Sequence, residues 1–382
     1  LKISGVTGTN GKTTVHWIQS EILENLKINA TKIGTFGILN KNFSVKTNLT
    51  TPDIITTFEN LKASVENKTE YIFMEVSSHA LDQKRVDFID FDIMVFTNLT
   101  QDHLDYHKDM NDYFLAKKLL FKKNHKKQTA IINIDCPYGA KLKTYCESQN
   151  IKTITYGFSE NSDFIISDYK MIKHNSSFSL SYKGESYLIN SNFFAKYNAL
   201  NLTASIISAF SYGFEIEDIL KILQNIKPVP GRLERVGNNL PTVLVDYAHT
   251  PDALKNALSA IKNDSQKIWV VFGCGGDRDK KKRPLMAKAC EEFADFIVVT
   301  SDNPRSENPE SIIKDILASG IKAELVEADR RLAIKKTILR ANKNDLILIA
   351  GKGHEDYQIL KDKTIYFSDQ EEAKDTLKLI NN

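Results

Sequence analysis

Cysteine is scarce in this chain: four among 382 residues (Cys136, Cys146, Cys274 and Cys290), far apart and without metal-type spacing. That excludes a zinc module and a disulfide-built fold, and reads as reduced thiols in a cytoplasmic protein. No apolar run approaches a membrane span, no signal peptide precedes the first apolar segment, and no internal repeat or low-complexity tract is present. Charge of one sign is lacking too. A net +3 is too little for a protein that holds nucleic acid through bulk charge. The lysines between positions 117 and 127 read on composition as a solvated helix face. A globular protein of two domains remains, because one core rarely serves this length. Small-molecule partners and a monomeric state are expected.

What is present is an alternation. Short β-type apolar runs at 2–6, 71–76, 92–96, 129–134 and 153–156 are separated by helical patterns. This predicts a mostly parallel sheet with helices on both faces. Between 163 and 194 polar and apolar residues alternate, as in Ser177-Phe178-Ser179-Leu180-Ser181-Tyr182, which predicts antiparallel edge strands. A helix from Asn198 to about Tyr212 follows. Pro228-Val229-Pro230-Gly231 then punctuates the chain, and further strands read at 243–245, 268–272, 296–300 and 346–350. The expected fold is α/β throughout. A P-loop-type, mostly parallel domain with antiparallel edge strands spans 1–229, and a Rossmann-like α/β domain spans 230–382. Three strands of the second domain run into polar loops at 273–278, 301–305 and 351–355. Ligands bind beyond the carboxyl ends of such strands, so one shared site is expected.

Gly8-Thr9-Asn10-Gly11-Lys12-Thr13-Thr14 follows the first strand and opens a helix patterned on Val15, Ile18, Ile22, Leu23 and Leu26. Backbone N–H groups of such a loop face phosphate, Lys12 adds positive charge, and Thr13 is placed to hold Mg²⁺. The match to G-x-x-x-x-G-K-[ST] is incomplete, since Val6 stands where glycine belongs and Gly5 lies one place early. Glu75 closes an apolar strand before Val76-Ser77-Ser78-His79 and suits a Mg²⁺ ligand; a satisfied polar strand end is the plainer alternative. The run from Thr97 to His107, with Asp102, His103, Asp105 and His107, favours metal or substrate handling over packing. Thr51 before Pro52 reads by itself as a helix N-cap with Pro at N1, and Thr250 before Pro251 reads the same way.

Gly-Thr-Asn-Gly-Lys-Thr, Glu-Val-Ser-Ser-His, Thr-Asn-Leu-Thr-Gln-Asp-His-Leu-Asp-Tyr-His, Pro-Gly-Arg-Leu-Glu, Asp-Tyr-Ala-His-Thr-Pro-Asp, Asp-Asn-Pro-Arg and Gly-Lys-Gly-His-Glu occur in this order. Together they resemble the Mur ligases over nearly the whole chain, most closely the members that add the third stem-peptide residue in peptidoglycan precursor synthesis. The resemblance implies that ATP phosphorylates the glutamate carboxylate of UDP-N-acetylmuramoyl-L-alanyl-D-glutamate. An amine then attacks the acyl phosphate through a tetrahedral intermediate. It implies ATP contacts at Gly8 through Thr14, with Lys12 on the β/γ-phosphates, Asn198 and Asp246 toward adenine and ribose, and Arg232 toward the γ-phosphate. One Mg²⁺ would sit on Thr13 and Glu75 and a second on His103. Lys117 matches the lysine that CO₂ carbamylates in this family, with Lys118 as its neighbour and fallback. Thr50, Thr51, Ser77, Gln83 and Arg85 would contact the nucleotide-linked dipeptide.

The resemblance also implies an amino-acid pocket of Arg278, Asp302, Asn303, Arg305, Gly351 and Glu355. Arg305 belongs to the pattern of members that add meso-diaminopimelate, and a guanidinium can hold the distal carboxylate with two hydrogen bonds. Lysine would leave it unpaired, at a cost on the order of 1–3 kcal/mol when buried. Glu355 would take the distal ammonium. Taken alone, Arg305 is a turn residue after Pro304. Three alternatives stand: a lysine-adding member, a folylpolyglutamate synthase, and a non-catalytic ATP-binding protein. Mur ligases of this type carry an N-terminal domain that binds uridine. With the phosphate loop at residue 8, that domain is expected to be missing here, and nucleotide binding to be weak.

Overall fold

The computed structural model describes every residue except 105, 123–126, 173–174, 238–239, 263–265 and 382. Asp105 and residues 123–126 of the lysine cluster therefore lie outside the described residues. The chain forms two compact units, Leu1–Lys227 and Pro228–Asn382.

The first unit begins with β1 (Lys2–Thr7), α1 (Lys12–Asn25), β2 (Ala30–Gly34), β3 (Gly37–Asn40) and β4 (Phe43–Val45). Next come α2 (Ile54–Glu66), β5 (Tyr71–Glu75), α3 (Ser78–Asp82), β6 (Ile93–Phe96) and α4 (Met110–Lys118). They are followed by β7 (Thr129–Asn133), α5 (Pro137–Ser148), β8 (Lys152–Gly157), β9 (Phe164–Ile172), β10 (Asn175–Tyr182), β11 (Glu185–Ser191), α6 (Lys196–Ser211) and α7 (Ile216–Ile222). One sheet takes all eleven strands in the order β11-β10-β9-β8-β7-β6-β1-β5-β2-β3-β4. From β2 across to β9 neighbours run parallel, and both margins are antiparallel. The alternating stretch from 163 to 194 supplies one of those margins, as expected. Val15, Ile18, Ile22 and Leu23 of α1 are fully buried, each contributing about 1.5–3 kcal/mol.

Strand β2 escaped the sequence reading because Lys32 interrupts its apolar character. Lys32 is nonetheless buried: its Nζ lies 2.8 Å from Glu21 Oε1, 3.2 Å from Glu24 Oε1 and 4.3 Å from the Trp17 ring centroid. All three partners come from α1, so the strand is acceptable only once that helix is packed on it. The cap reading of Thr51 is also corrected. Asp53 caps α2 by accepting from Thr56 N, and Thr51 turns inward. Thr250 does cap its helix, accepting from Ala253 N.

The second unit contains β12 (Glu234–Arg235), β13 (Thr242–Asp246), α8 (Pro251–Ile261), β14 (Ile268–Phe272), α9 (Lys282–Phe293) and β15 (Phe296–Thr300). It continues through α10 (Pro309–Leu317), β16 (Leu325–Glu327), α11 (Arg330–Arg340), β17 (Leu346–Ala350), β18 (Tyr357–Ile359), β19 (Thr364–Tyr366) and α12 (Asp369–Asn381). Its main sheet runs β12-β13-β17-β14-β15-β16, parallel from β13 onward. These strands are near-continuous Val, Ile and Leu, as burial on both faces requires. Because β17, β14 and β15 are neighbours, their three polar loops leave the same edge. All four cysteines are buried and free. Among the described residues no helix is long and apolar enough to cross a membrane.

Candidate active site

The glycine loop leaves the carboxyl end of β1 between the ends of β5 and β6. Gly8 has φ 149°, and a Cβ there would stand 1.9 Å from Thr97 Oγ1; Gly11 has φ 89°, with Asn201 Oδ1 at 2.5 Å. Only glycine fits either position. The segment after β6 grips this loop. Thr97 Oγ1 donates to Asn10 O (2.6 Å), Asn98 Oδ1 accepts from Asn10 N (2.9 Å), and Thr9 Oγ1 accepts from Thr100 N (3.0 Å). Residues 97–100 thus shape the loop, a role the sequence reading had not separated from metal handling. Lys12 Nζ donates to Gly8 O (3.0 Å) and Thr9 O (2.9 Å), folded over the loop whose anion it would meet. Thr14 is buried behind it. Asn198 is buried on α6, donating to Phe194 O and accepting from Asn201, the side chain beside Gly11.

Glu75 is fully buried at the end of β5. Its Oε2 accepts from Thr13 Oγ1 (2.8 Å) and its Oε1 from Thr35 N (2.8 Å); the Thr35 hydroxyl is 3.4 Å from that of Thr13. His16 lies 3.6 Å from Glu75, and burial, opposed by that carboxylate, holds its imidazole below the usual value. One carboxylate with neighbouring hydroxyls is a hard-oxygen set suited to Mg²⁺, which keeps waters and binds phosphate oxygens as well. Consistent with so sparse a set, no group of three or more His, Cys, Asp or Glu placed for a metal occurs among the described residues. Thr35 was missed by the sequence reading, since it lies in a turn with no motif.

Lys117 overturns its compositional reading. It is 1% exposed, donates to Gly8 O at 2.8 Å, and lies 4.4 Å from the Tyr113 ring centroid. Burial, helped by the Lys12 charge and opposed by Asp102, depresses its ammonium well below the lysine range. The Lys117 amine faces the loop. Lys118 lies over the Tyr145 ring and makes no such approach.

Thr51, Ser77, Gln83 and Arg85 gather beside β5. Thr51 Oγ1 donates to Glu75 O (2.8 Å) and accepts from Ser77 N (3.0 Å), while Arg85 donates to Thr51 O (3.0 Å) and, through Nε, to Gln83 Oε1 (2.9 Å). Ser77 Oγ also caps α3, and Thr50 is half-buried next to Thr51. His103 is different. It has φ 53°, its side chain is 44% exposed, and its nearest described acid is Asp102 at 3.5 Å. Its ring meets His79 and Tyr113 at centroid distances of 4.9 and 6.1 Å. His107 is the buried histidine of that run, 3.0 Å from Ser78 Oγ and stacked on Tyr113.

Arg232 and Asp246 belong to the second unit. Asp246 is buried at the end of β13, accepting from Leu233 N (2.7 Å) and Ala248 N (2.8 Å). Desolvation raises its carboxyl above the usual range, against the pull of Arg232. It therefore fixes the turn that presents Arg232, whose guanidinium lies 5.1 Å from the Tyr247 ring centroid. Gly231, at φ 64°, packs so closely on Gly353 and His354 that a Cβ would reach 2.2 Å from His354 N.

The three loaded loops do meet. Gly276 N donates to Asn303 O (2.9 Å), Arg305 donates to Gly276 O (2.9 Å), and Asn303 Nδ2 donates to Glu355 Oε2 (3.1 Å). Asp302 lies beside Gly351, and Arg278 is exposed at the rim. A charged pair supports this rim from outside: buried Arg283 takes the half-buried Glu307 with both NH1 (3.0 Å) and NH2 (2.8 Å), while Glu307 accepts from Asp277 N (2.7 Å). The guanidinium holds the Glu307 carboxyl at about 2, against an ordinary 4.5. A lowered folded value means stability that is complete above about pH 4.5 and lost as pH falls toward 2. Denaturant midpoints measured across that window should fall less steeply for Glu307→Gln than for the unmodified protein.

A phosphate-type loop at the centre of a parallel sheet, a buried carboxylate against its threonine, and a second open α/β unit define a nucleotide-binding α/β protein of two units. The comparisons narrow the class. Residues 6–209 match the Mur ligase middle domain and 231–353 the Mur ligase, glutamate ligase domain. The chain is 42% identical to UDP-N-acetylmuramoyl-L-alanyl-D-glutamate–2,6-diaminopimelate ligase 1 of Clostridium acetobutylicum, over 99% of this chain and 78% of that protein. It is 43% identical to the corresponding ligase of Aquifex aeolicus, over 99% and 77%. A solved structure of a UDP-N-acetylmuramoyl-L-alanyl-D-glutamate–2,6-diaminopimelate ligase superposes with a TM-score of 0.78 at 33% identity, covering 100% of this chain and 79% of that one. The chain belongs to the Mur ligase family.

Proposed function

We propose that this Mur ligase joins meso-diaminopimelate to UDP-N-acetylmuramoyl-L-alanyl-D-glutamate, with ATP converted to ADP and phosphate. The observation that carries the reading is the convergence of Lys12, Thr13, Glu75 and Lys117 on one glycine loop, in a chain that aligns over 99% of its own length with a diaminopimelate ligase. Residues Gly8 to Thr14 would bind the phosphates of ATP, with Asn198 and Asp246 toward its base and sugar. Lys12 and Arg232 would oppose the charge that builds on the transferred phosphoryl group. Thr13 and Glu75 would hold one Mg²⁺ and His103 a second; bound Mg²⁺ neutralises phosphate charge. Lys117, whose buried amine gives up its proton more readily than an ordinary lysine, would react with CO₂. The N6-carboxylate so formed is an oxygen donor that the amine is not.

The hydroxyls of Thr50, Thr51 and Ser77, with Gln83 and Arg85, would orient the dipeptide carboxylate. In the second unit, Arg305 would receive the distal carboxylate of diaminopimelate and Glu355 its distal ammonium, with Arg278, Asp302, Asn303 and Gly351 forming the rest of the pocket. All ligands are small cytoplasmic molecules, and we place the reaction in the cytoplasm. The test is phosphate release with ATP, Mg²⁺ and the nucleotide dipeptide, comparing diaminopimelate with lysine. Release should require both acceptors and favour diaminopimelate. Lysine preference would reassign the substrate, and release indifferent to the dipeptide would refute the reaction.

A further inference from the structure

Lys352 directly follows β17, and it is fully buried. An ammonium in such a place costs several kcal/mol unless it is paired. Lys352 is paired three ways. Its Nζ donates to Asn303 Oδ1 (3.3 Å) and Glu355 Oε2 (3.3 Å), and lies 3.7 Å from Asp302 Oδ1, an oxygen with no hydrogen bond of its own. Asn303 Oδ1 also accepts from Ile359 N (2.9 Å). With its oxygen held twice from behind, the Asn303 amide can only turn its nitrogen forward, onto Glu355.

We propose that Lys352 is the positioning residue that gives the amino-acid pocket its selectivity for a distal ammonium, by fixing Glu355 and Asn303 from beneath and balancing the charge of Asp302. The proposal rests on the reading that Glu355 meets that ammonium. Lys352 need not touch the substrate. Buried Arg330 adds positive charge near Asp302 and Glu355, but it directs its hydrogen bonds to Asp369, Ser301 O and Ala350 O, so orienting Glu355 and Asn303 falls to Lys352.

The test compares two amino acids in the complete enzyme: meso-diaminopimelate, and L-2-aminopimelate, which keeps the reacting amine and distal carboxylate but lacks the distal ammonium. The unmodified enzyme should prefer diaminopimelate. Lys352→Met should lose about 20-fold or more in kcat/KM for diaminopimelate but less than about 3-fold for 2-aminopimelate, with KM for ATP unchanged. Lys352→Gln, which keeps a donor without the charge, should lie between and serves if the methionine variant does not fold. Equal losses on both amino acids, or none, would overturn the role of Lys352. Indifference of the unmodified enzyme to the missing ammonium would instead refute the pocket reading beneath it.

Discussion

Lys117→Ala should lower ligation about 10³-fold, a loss of about 4 kcal/mol in transition-state stabilisation, while short carboxylic acids added to the assay restore part of it. The size follows from position. Lys117 reaches the same Gly8 carbonyl as Lys12, so its terminal atom stands at the loop that would hold the reacting phosphates. A small acid can occupy the space left by the side chain and supply the missing carboxylate oxygens. Activity unchanged in Lys117→Ala would end the proposed role, and loss without rescue would argue for the amine itself. Stability moves independently. The folded lysine releases its proton more easily than the unfolded one, so between its lowered folded value and about 10.5 the unfolded state binds more protons and stability rises with pH. Lys117→Met should remove that rise in urea denaturation curves, since methionine fills the volume without titrating.

Arg305→Ala should reduce kcat/KM for diaminopimelate about 10²- to 10⁴-fold while leaving the low rate with lysine nearly as it was, because two charge-assisted hydrogen bonds at about 1.5–3 kcal/mol each act only on the distal carboxylate. The side chain is built into place. Arg305 takes φ 51°, its NH1 donates to Gly276 O, and a Cβ on Gly275 would stand 2.7 Å from that nitrogen. Parallel losses with both amino acids would mean that Arg305 only closes the turn between the three loops.

The local elements were legible because their causes are local. Apolar strands ending in glycine or acid, Thr250 before Pro251, and the alternation that became β9 to β11 all express patterns within a few residues. The glycine loop and Glu75 were legible for the same reason. Where the reading failed, the deciding partner was distant. Lys32 is a strand residue only because Glu21, Glu24 and Trp17 cover it from α1. Residues 97 and 98 read only as part of a run for metal or substrate handling until the fold laid them against Asn10, and Lys352 had no role until Asn303 and Glu355 came to it.

The sequence by itself determined the α/β alternation, the phosphate loop and the residue types available for an amide ligase, since these depend on period, turn chemistry and side-chain identity. Tertiary structure alone decided which charges are buried. Lys117 has the composition of a solvated helix residue, and nothing within its own helix contradicts that. Its lowered proton affinity comes from packing α4 against the glycine loop, where desolvation and the charge of Lys12, 105 positions earlier in the chain, act on the same nitrogen.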